Sequence, residues 1–432
     1  MLLTTQIIGG PVPMVLGILA VALFVFLLLR RPTPVWLLTA AIGLLAGAVG
    51  AVAVFVWADV TDAFEIQLPI EVLWWTVVSF ACVGLAVVSM WRSRWWRKVV
   101  AGVGVVAFLL VGVVQVNAVF GLDPTVADLL GVTVSEPVAL PSSHPHASKA
   151  PDQPLYATWK APADMPKTGK IGTVAIPATV SHFTARPAGL YLPPAALVKN
   201  APALPLMIMM MGYPGSPNAI PTAQVMSAFA AAHHGLAPIV IVADQIGTHG
   251  DPACTDSRAR GNAATYIKTD VLNWAKQHLN IIHDPRYWTI AGYSNGATCA
   301  IKYAAQEPGV FRNVVSISPE LYPGSNYSRS VISTVYGGDQ AAWRRDMPIA
   351  IMDAGSGTYG GVNAIVTTGA LDTVFGPESR RLASIAQADG MHVTLLTIPG
   401  VAHVGQNLHD ALMAGMGKLF VDLGLASPAA AA

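Results

Sequence analysis

The segment Gly292-Tyr293-Ser294-Asn295-Gly296 has the Gly-x-Ser-x-Gly spacing of a nucleophile elbow. A short apolar run that predicts a buried strand precedes it, and a run of small residues that tolerates a helix follows it. A strand, a sharp turn and a helix in this order hold the serine in a strained backbone conformation with its hydroxyl exposed. Side chains at the two glycine positions would collide with the neighbouring strand and helix. The segment therefore predicts Ser294 as a nucleophile, against the alternative of a chance glycine-rich turn.

A serine of ordinary pKa needs a base, and in chains with this elbow the base is a histidine late in the sequence. Three histidines follow Ser294. His403 lies in the loop after the last predicted strand, which is where the base belongs. His409 falls in the predicted helix that follows, and His392 begins a strand as a solvated edge residue. The sequence favours His403, with His409 as the alternative.

The histidine in turn needs an acid that fixes its tautomer and stabilises its protonated form. Asp372 ends a predicted strand that leaves into a loop, and a helix and the last strand then lead to His403. Asp353 is the rival, and its simpler interpretation is a strand-end residue before a glycine-rich turn. The pattern predicts Asp372 as the acid.

Negative charge that develops on a carbonyl oxygen requires two backbone N–H donors. The residue after the nucleophile, Asn295, is expected to supply one of them. The loop after the third predicted strand, residues 211–215, is expected to supply the other. Pro214 has no N–H, so Tyr213 is the better candidate, although an aromatic residue that only lines a cleft would give the same pattern.

These residues need a scaffold, and residues 166–432 predict one. Strands alternate with helices there, which favours an α/β fold with a mostly parallel sheet and helices on both faces. The predicted strands are 172–178, 187–192, 205–211, 238–243, 287–291, 313–318, 365–368 and 392–398. The main predicted helices are 222–234, 263–279, 297–305 and 378–388.

The pattern resembles the putative-esterase family of α/β-hydrolases, which includes esterase D and the mycolyltransferases, over residues 173–420. The strongest blocks run from residue 266 through the elbow to Phe311, and over the closing Pro399-Gly400-Val401-Ala402-His403. The resemblance implies a Ser294, His403 and Asp372 triad, with the Tyr213 and Asn295 amides as oxyanion donors. Mycolyltransferases use a glutamate as the acid, whereas this chain offers an aspartate.

The chain has three cysteines. Cys254 falls in a loop after a predicted strand, and Cys299 on the helix after the elbow. A disulfide between them is expected if this domain faces an oxidising compartment, and two unpaired thiols are the alternative. Cys82 lies in an apolar segment and is expected to be inert.

Composition predicts a membrane-embedded part. The chain of 432 residues is 53% hydrophobic and 11% charged, which is less than half the roughly 25% of charged residues usual in soluble proteins. Four apolar segments, 13–29, 35–57, 68–90 and 99–120, each approach the ~20 residues that cross a bilayer. We therefore expect residues 1–120 to form a four-span transmembrane region. The shortage of charged residues in these spans argues against a transporter.

The connectors predict an orientation for the spans. The first and third connectors contain six basic residues, namely Arg30, Arg31, Arg92, Arg94, Arg97 and Lys98. All the charged residues of the second connector and its edges are acidic, namely Asp59, Asp62, Glu65 and Glu71. The positive-inside rule places both basic connectors in the cytoplasm. Both termini and the C-terminal domain are then expected on the outer side of the plasma membrane.

A linker is expected over residues 121–165, with a short helix at 123–130 and a proline-rich extended tract beyond it. His144 and His146 in this tract could bind a metal, but two ligands in a flexible segment make a poor site, so we expect no metal or cofactor. The net charge of +1 gives no sign of nucleic acid as a partner.

Together these features predict a membrane-anchored serine esterase whose partners are membrane lipids and whose substrates are lipid-linked or envelope esters. Transfer of the acyl group to a sugar hydroxyl is the alternative, and a non-catalytic hydrolase-fold binding module is a further one. Four aromatic residues between residues 319 and 348 are candidates for an acyl-binding wall or for ordinary packing: Tyr322, Tyr327, Tyr336 and Trp343. The sequence leaves the oligomeric state open.

Overall fold

The structure is a computed structural model that describes residues 5–61, 63–64, 68–121, 125–130, 137–138, 149–325 and 327–428. The chain divides into two compact units, Met1–Val134 and Ser135–Ala432, and the division falls inside the predicted linker. Some predicted features lie outside the described residues: Asp62 and Glu65 of the acidic connector, and the His144 and His146 pair.

Among its described residues, the first unit contains four long apolar helices and one short helix. They are α1 Pro11–Leu28, α2 Pro34–Val60, α3 Ile70–Ser89, α4 Trp95–Phe120 and α5 Val126–Leu129. The first four are long and apolar enough to cross a membrane, with mean hydropathies between 2.1 and 2.7. The predicted spans match these helices, except that α4 begins four residues early. Hydropathy marks only the apolar part of a helix, whereas α4 continues through polar residues to Trp95.

Close contact between helices α2 and α3 depends on glycines. A Cβ atom on Gly84 would overlap the Gly43 carbonyl, and one on Gly47 would overlap the Phe80 carbonyl. Small residues let helix backbones approach in this way. Few side chains are buried in this unit, and many large apolar ones are exposed on its surface. An apolar exterior of this kind suits a hydrocarbon surrounding rather than water.

The second unit is built on an eight-stranded sheet. Its strands are β1 Lys170–Val174, β2 Ala188–Leu192, β3 Leu206–Met210, β4 Ile239–Ala243, β7 Trp288–Tyr293, β8 Asn313–Ile317, β9 Asn363–Gly369 and β10 His392–Ile398. A separate hairpin joins β5 Asp256–Ser257 to β6 Gly261–Asn262. The sheet order is β1-β2-β4-β3-β7-β8-β9-β10. The β1–β2 and β2–β4 pairs are antiparallel and all other pairs are parallel.

The helices of this unit include two groups that pack together. Along the chain they are α6 Leu155–Thr158, α7 Ile220–Ala232, α8 Ala263–Thr265, α9 Leu272–His278, α10 Asn295–Gln306, α11 Ser328–Thr334, α12 Gln340–Arg345, α13 Pro348–Ala354, α14 Phe375–Ala388 and α15 Asn407–Asp422. Helix α7 packs on α15, whereas α13 packs on both α10 and α14. Every residue of β2, β3, β4, β7 and β8 is buried, as expected for strands covered on both faces. The predicted α/β fold with a mostly parallel sheet is confirmed.

One local prediction is wrong. Residues 348–353 were expected to form a strand that ends at Asp353, but they form α13, and Asp353 is exposed on it. A short apolar run does not distinguish a helix from a strand, and here Pro348 stands at the first position of the helix, where its ring is tolerated. The predicted helix 263–279 is present, and its middle part, Tyr266–Val271, is a wider π-helical segment.

Candidate active site

Ser294 lies in the sharp turn between β7 and α10. Its backbone angles, φ 54° and ψ −119°, are outside the regions that side chains prefer. The turn can form only because both flanking positions are glycine: a Cβ on Gly292 would overlap the Gly296 carbonyl, and one on Gly296 would overlap the Met210 carbonyl. The Ser294 N–H donates to the Ile317 carbonyl of the next strand, 2.8 Å away, which fixes the turn against the sheet.

The structure brings together the three residues that the sequence selected. Ser294 Oγ lies 2.8 Å from His403 Nε2, and His403 Nδ1 lies 2.9 Å from Asp372 Oδ2. The Asp372 side chain is 2% exposed and that of His403 16% exposed. The row therefore runs from a buried carboxylate to a hydroxyl that solvent can reach. In this geometry a histidine can take the serine proton while the carboxylate stabilises the imidazolium.

The Asp372 carboxylate is held on both of its oxygens. Oδ2 receives the His403 hydrogen bond, and Oδ1 accepts from the Phe375 N–H at 2.8 Å and the Val374 N–H at 3.2 Å. Burial raises the pKa of Asp372. The hydrogen bond and charge of His403, together with hydrogen bonds from the Phe375 and Gly376 amides, lower it by more. The net result is a pKa below the ordinary value of a carboxyl group. The acid is thus held ionised.

The backbone of His403 is held as firmly as its ring. The His403 carbonyl accepts from the Tyr293 hydroxyl at 2.7 Å and from Asn407 Nδ2 at 2.9 Å. The Phe375 ring lies 4.2 Å from the imidazole and the Tyr293 ring 5.9 Å from it, between centroids. Asn407 is fully buried, and its Nδ2 also donates to Ser318 Oγ. These contacts hold the imidazole in position beside the serine.

The alternative acids and bases lie elsewhere. His409 is on α15, half exposed and paired with Asp410. His392 begins β10, is exposed, and has Nε2 3.0 Å from the Gly360 carbonyl oxygen. Both positions agree with the sequence prediction. Asp353 is exposed on α13, and the acid that faces His403 Nδ1 is Asp372.

Asn295 follows Ser294 directly and begins α10, so its N–H is among those that a helix leaves without an internal partner. Its side chain is 1% exposed and bonded at both ends. Nδ2 donates to Asp251 Oδ2 at 2.8 Å, and Oδ1 accepts from Gln245 Nε2 at 3.3 Å. These two side-chain hydrogen bonds therefore also help to fix the position of the Asn295 backbone N–H.

The loop after β3 lies against the nucleophile. A Cβ on Gly212 would stand 3.3 Å from Ser294 Cβ, which is closer than most real contacts. The next peptide, Tyr213–Pro214, is cis. Arg186 Nη2 donates to the Gly215 carbonyl at 3.1 Å, and the Arg186 guanidinium pairs with the buried Asp244. This loop carries Tyr213, the predicted second oxyanion donor, which stays a prediction.

Cys254 and Cys299 form a disulfide, which joins the loop after β4 to the nucleophile helix. Buried polar contacts reinforce this junction. Lys302 Nζ on the same helix donates to the Cys254 carbonyl at 3.0 Å and to Asp346 Oδ2 at 2.7 Å. Burial lowers the pKa of Lys302, although the charge of Asp346 opposes that shift. Cys82 is a free, half-buried cysteine in the first unit.

The segment between residues 319 and 348 is bonded to this junction. The Tyr327 hydroxyl donates to Asp251 Oδ2 at 2.6 Å, and the Tyr336 hydroxyl to Asp346 Oδ2 at 2.6 Å. Both hydroxyls are therefore bonded within the fold, which agrees with the packing alternative. Tyr322 and Trp343 meet edge to face, with ring centroids 5.4 Å apart.

Sequence reasoning missed the supports around the triad. Tyr293 is part of the elbow motif, and Asn407 is four residues after His403 at the start of α15, so local spacing could have selected both. Nothing in the local sequence marks Asp251 or Gln245 as neighbours of Asn295, because the chain brings them there from 44 and 50 residues away.

Comparison with known proteins assigns the chain to a protein family. The family model described as Putative esterase matches residues 184–401, which is half of the chain. An uncharacterized protein of Corynebacterium glutamicum is 31% identical over 231 residues, covering 51% of this chain and 54% of that protein. The chain thus spans about half the length of the curated relative it matches.

Two solved structures resemble the second unit in fold. An S-formylglutathione hydrolase from Agrobacterium tumefaciens is 17% identical with a TM-score of 0.51, covering 60% of this chain and 98% of that one. A ferulic acid esterase is 16% identical with a TM-score of 0.50, covering 60% and 99%. Identities this low show the α/β-hydrolase fold alone. From the match of the family model, the chain belongs to the putative esterase family.

Proposed function

We propose that the chain is a serine esterase that hydrolyses carboxylic esters through a Ser294, His403 and Asp372 triad. Membership of the esterase family supports ester hydrolysis. The observation that carries the mechanism is the continuous row of hydrogen bonds, 2.8 Å and 2.9 Å long, from the strained serine to the buried acid.

In this mechanism His403 Nε2 takes the proton of Ser294 as Oγ attacks the ester carbonyl. The tetrahedral intermediate collapses, the alcohol leaves with the proton from His403, and an acyl-serine remains. Water, deprotonated by the same histidine, attacks the acyl-serine, and the acid leaves as His403 returns the proton to Ser294 Oγ. Asp372 stays ionised throughout, in keeping with its lowered pKa.

The Asn295 amide and the Tyr213 amide donate to the carbonyl oxygen as it becomes negative. Such donors lower the barrier only if they are fixed before the reaction begins. The bonds of the Asn295 side chain to Asp251 and Gln245 support this role for its amide.

The enzyme is anchored in the plasma membrane by the four apolar helices, with the esterase domain on the outer side. The basic first and third connectors support this orientation. The Cys254–Cys299 disulfide supports it too, because disulfides persist in oxidising compartments. An active site tethered near a bilayer favours lipid-linked or envelope esters as substrates.

Ester turnover by the purified full chain tests the proposal. Ser294→Ala should abolish hydrolysis of p-nitrophenyl esters of both short and long acyl chains. Ser333→Ala, at an exposed serine on α11, is the matched control and should leave turnover unchanged. A folded wild-type chain without turnover would instead favour a non-catalytic binding module. Acyl transfer to an added sugar at the expense of hydrolysis would favour the acyltransferase alternative.

Orientation has its own test in intact cells. A membrane-impermeant maleimide should label Ser333→Cys in the esterase domain but not Arg31→Cys in the first connector, with Cys82 replaced by serine in both. The reverse pattern of labelling would refute the outer location.

A further inference from the structure

One end of the four-helix unit concentrates positive charge. The α1–α2 connector and the α3–α4 turn, with the start of α4, contain Arg30, Arg31, Arg92, Arg94, Arg97 and Lys98. No acidic residue occurs in either segment. Six cations at the end of an apolar bundle repel one another and need counter-charge.

Two of these cations link the α3–α4 region to α1 and the connector that follows it. Arg30 Nη2 donates to the Arg92 carbonyl at 3.0 Å, and the Arg30 guanidinium lies 5.0 Å from the Trp36 ring centroid. Arg97 Nη2 donates to the Phe26 carbonyl at 3.3 Å, and its guanidinium lies 4.8 Å from the Phe26 ring. Carbonyl and ring contacts orient these side chains without neutralising their charge.

The turn that receives Arg30 has a fixed shape. Arg92 adopts a left-handed backbone conformation with φ 51°, which is uncommon for a residue with a side chain. Ser93 Oγ donates to the Ser89 carbonyl and closes the turn onto the end of α3. The direction in which Arg92 leaves the turn is therefore set by the fold.

The other four cations, Arg31, Arg92, Arg94 and Lys98, are exposed. Within the described part of the chain, none of them has an ion-pair partner. We call these four residues the basic cluster. Fixed loops that present unpaired guanidinium and ammonium groups are suited to phosphate oxygens.

The surroundings of the basic cluster indicate where that phosphate comes from. Trp91 is 73% exposed and Trp95 is 77% exposed, and both flank the cluster. Tryptophans at the ends of apolar helices lie at the headgroup level of a bilayer. A ligand at this depth carries its phosphate beside acyl chains.

We propose that the basic cluster binds the phosphate of anionic phospholipids, in preference to zwitterionic ones. The proposal rests on the membrane anchoring in the proposed function, but it needs no esterase activity. The net charge of the headgroup decides the preference, because basic residues near a bilayer are attracted strongly to an anionic surface and little to a neutral one.

Native mass spectrometry of the full chain tests the site. The chain is released from nanodiscs that contain equal amounts of phosphatidylglycerol and phosphatidylcholine. Wild type should retain phosphatidylglycerol in clear excess, and Arg92→Gln/Arg94→Gln/Lys98→Gln should reduce that excess roughly tenfold or more. Among the described residues, these three side chains form no internal hydrogen bond that the substitution would break. The charge-matched control, Lys160→Gln/Lys167→Gln/Lys199→Gln on exposed positions of the second unit, should retain the excess.

Three results would overturn the proposal: no preference in wild type, an equal loss in the charge-matched control, or displacement of the lipid by excess inorganic phosphate. The last would show that the cluster takes a soluble anion. Failure of the membrane anchoring itself is separate, because the wild-type chain would then not enter nanodiscs of any composition.

Discussion

The two sides of Ser294 are built differently. On one side, His403 and Asp372 form a short row of titratable groups, part of which reaches solvent. On the other side, Asn295 is locked to Asp251 and Gln245 in a buried network that a disulfide and Tyr327 complete. The first side can move protons, whereas the second holds its side chains in buried hydrogen bonds.

Residues on the His403 side take part in proton transfer, whereas residues on the Asn295 side hold the site in place. Substitutions on the His403 side should lower kcat and leave the fold intact, because the groups lost there act on protons. Substitutions on the Asn295 side should lower stability first and turnover second, because they remove buried hydrogen bonds. The following predictions test this separation, beginning with the largest effect.

Asp372→Asn should reduce kcat by about 10³- to 10⁴-fold with little change in melting temperature. The amide would favour the wrong tautomer of His403 and could not stabilise the imidazolium. Steady-state kinetics with a p-nitrophenyl ester measures the effect. Asp410→Asn, which alters the exposed His409 pair, is the matched control and should turn over normally. A mild effect of Asp372→Asn would show that the acid lies elsewhere.

Asp251→Asn should destabilise the protein by about 2–3 kcal/mol and lower kcat by roughly tenfold. The new NH₂ group would face Asn295 Nδ2 and the Tyr327 hydroxyl, both of which donate to Oδ2 in the wild type. Chemical unfolding and kinetics on the same samples measure both. Asp389→Asn is a control on a surface turn after α14. A loss of turnover without a loss of stability would contradict the separation.

Tyr293→Phe should lower kcat about five- to tenfold and leave KM nearly unchanged. It removes the donor 2.7 Å from the His403 carbonyl, while Asn407 keeps the other one, so about 1 kcal/mol of support is lost. Tyr266→Phe is a matched control, because the buried Tyr266 hydroxyl has no hydrogen-bond partner among the described residues. Equal effects of the two substitutions would mean that the Tyr293 hydroxyl does not position the base.

Glu320→Gln should have the smallest effect on activity and a visible effect on the pH dependence of stability. Burial, with the charge of Asp251, raises the pKa of Glu320 to about 8. The folded chain therefore holds a proton that the unfolded chain releases above about pH 4.5, so this glutamate makes stability fall as the pH rises to about 8.

Melting temperatures between pH 5 and pH 9 test that sign. Glu320→Gln should flatten the decline by several degrees, since a glutamine oxygen can still accept from the Gly324 and Ser325 amides. Glu307→Gln, at a partly exposed pair with Lys268, should keep the wild-type slope. An unchanged slope in Glu320→Gln would show that Glu320 is ionised in the folded chain.

Much of the fold could be predicted from the sequence, because its signals are local. The buried strands of the parallel sheet are continuous apolar runs, and β10 was predicted at its observed bounds, His392–Ile398. The four long helices follow from hydropathy alone. The strand expected at residues 348–353 was a wrong prediction, because a short apolar run fits either a helix or a strand. Tertiary packing decides between them.

In the candidate site, too, the residues with local sequence signals could be predicted and those brought together only by folding could not. Ser294 is marked by two glycines that steric overlap makes necessary, and chain order then selects Asp372 and His403. The polar frame of Asn295 has no such signal. Asp251, Gln245 and Tyr327 meet it only in the folded chain, so their partnership is a property of packing rather than of spacing.

Mapping of a covalent adduct tests the central claim most directly. The full chain in its membrane is treated with a fluorophosphonate, and the modified peptide is identified by mass spectrometry. We predict one adduct on Ser294, whose formation slows strongly in Asp372→Asn and disappears in Ser294→Ala. An adduct on another residue, or a folded wild-type chain that forms none, would contradict the proposed serine esterase.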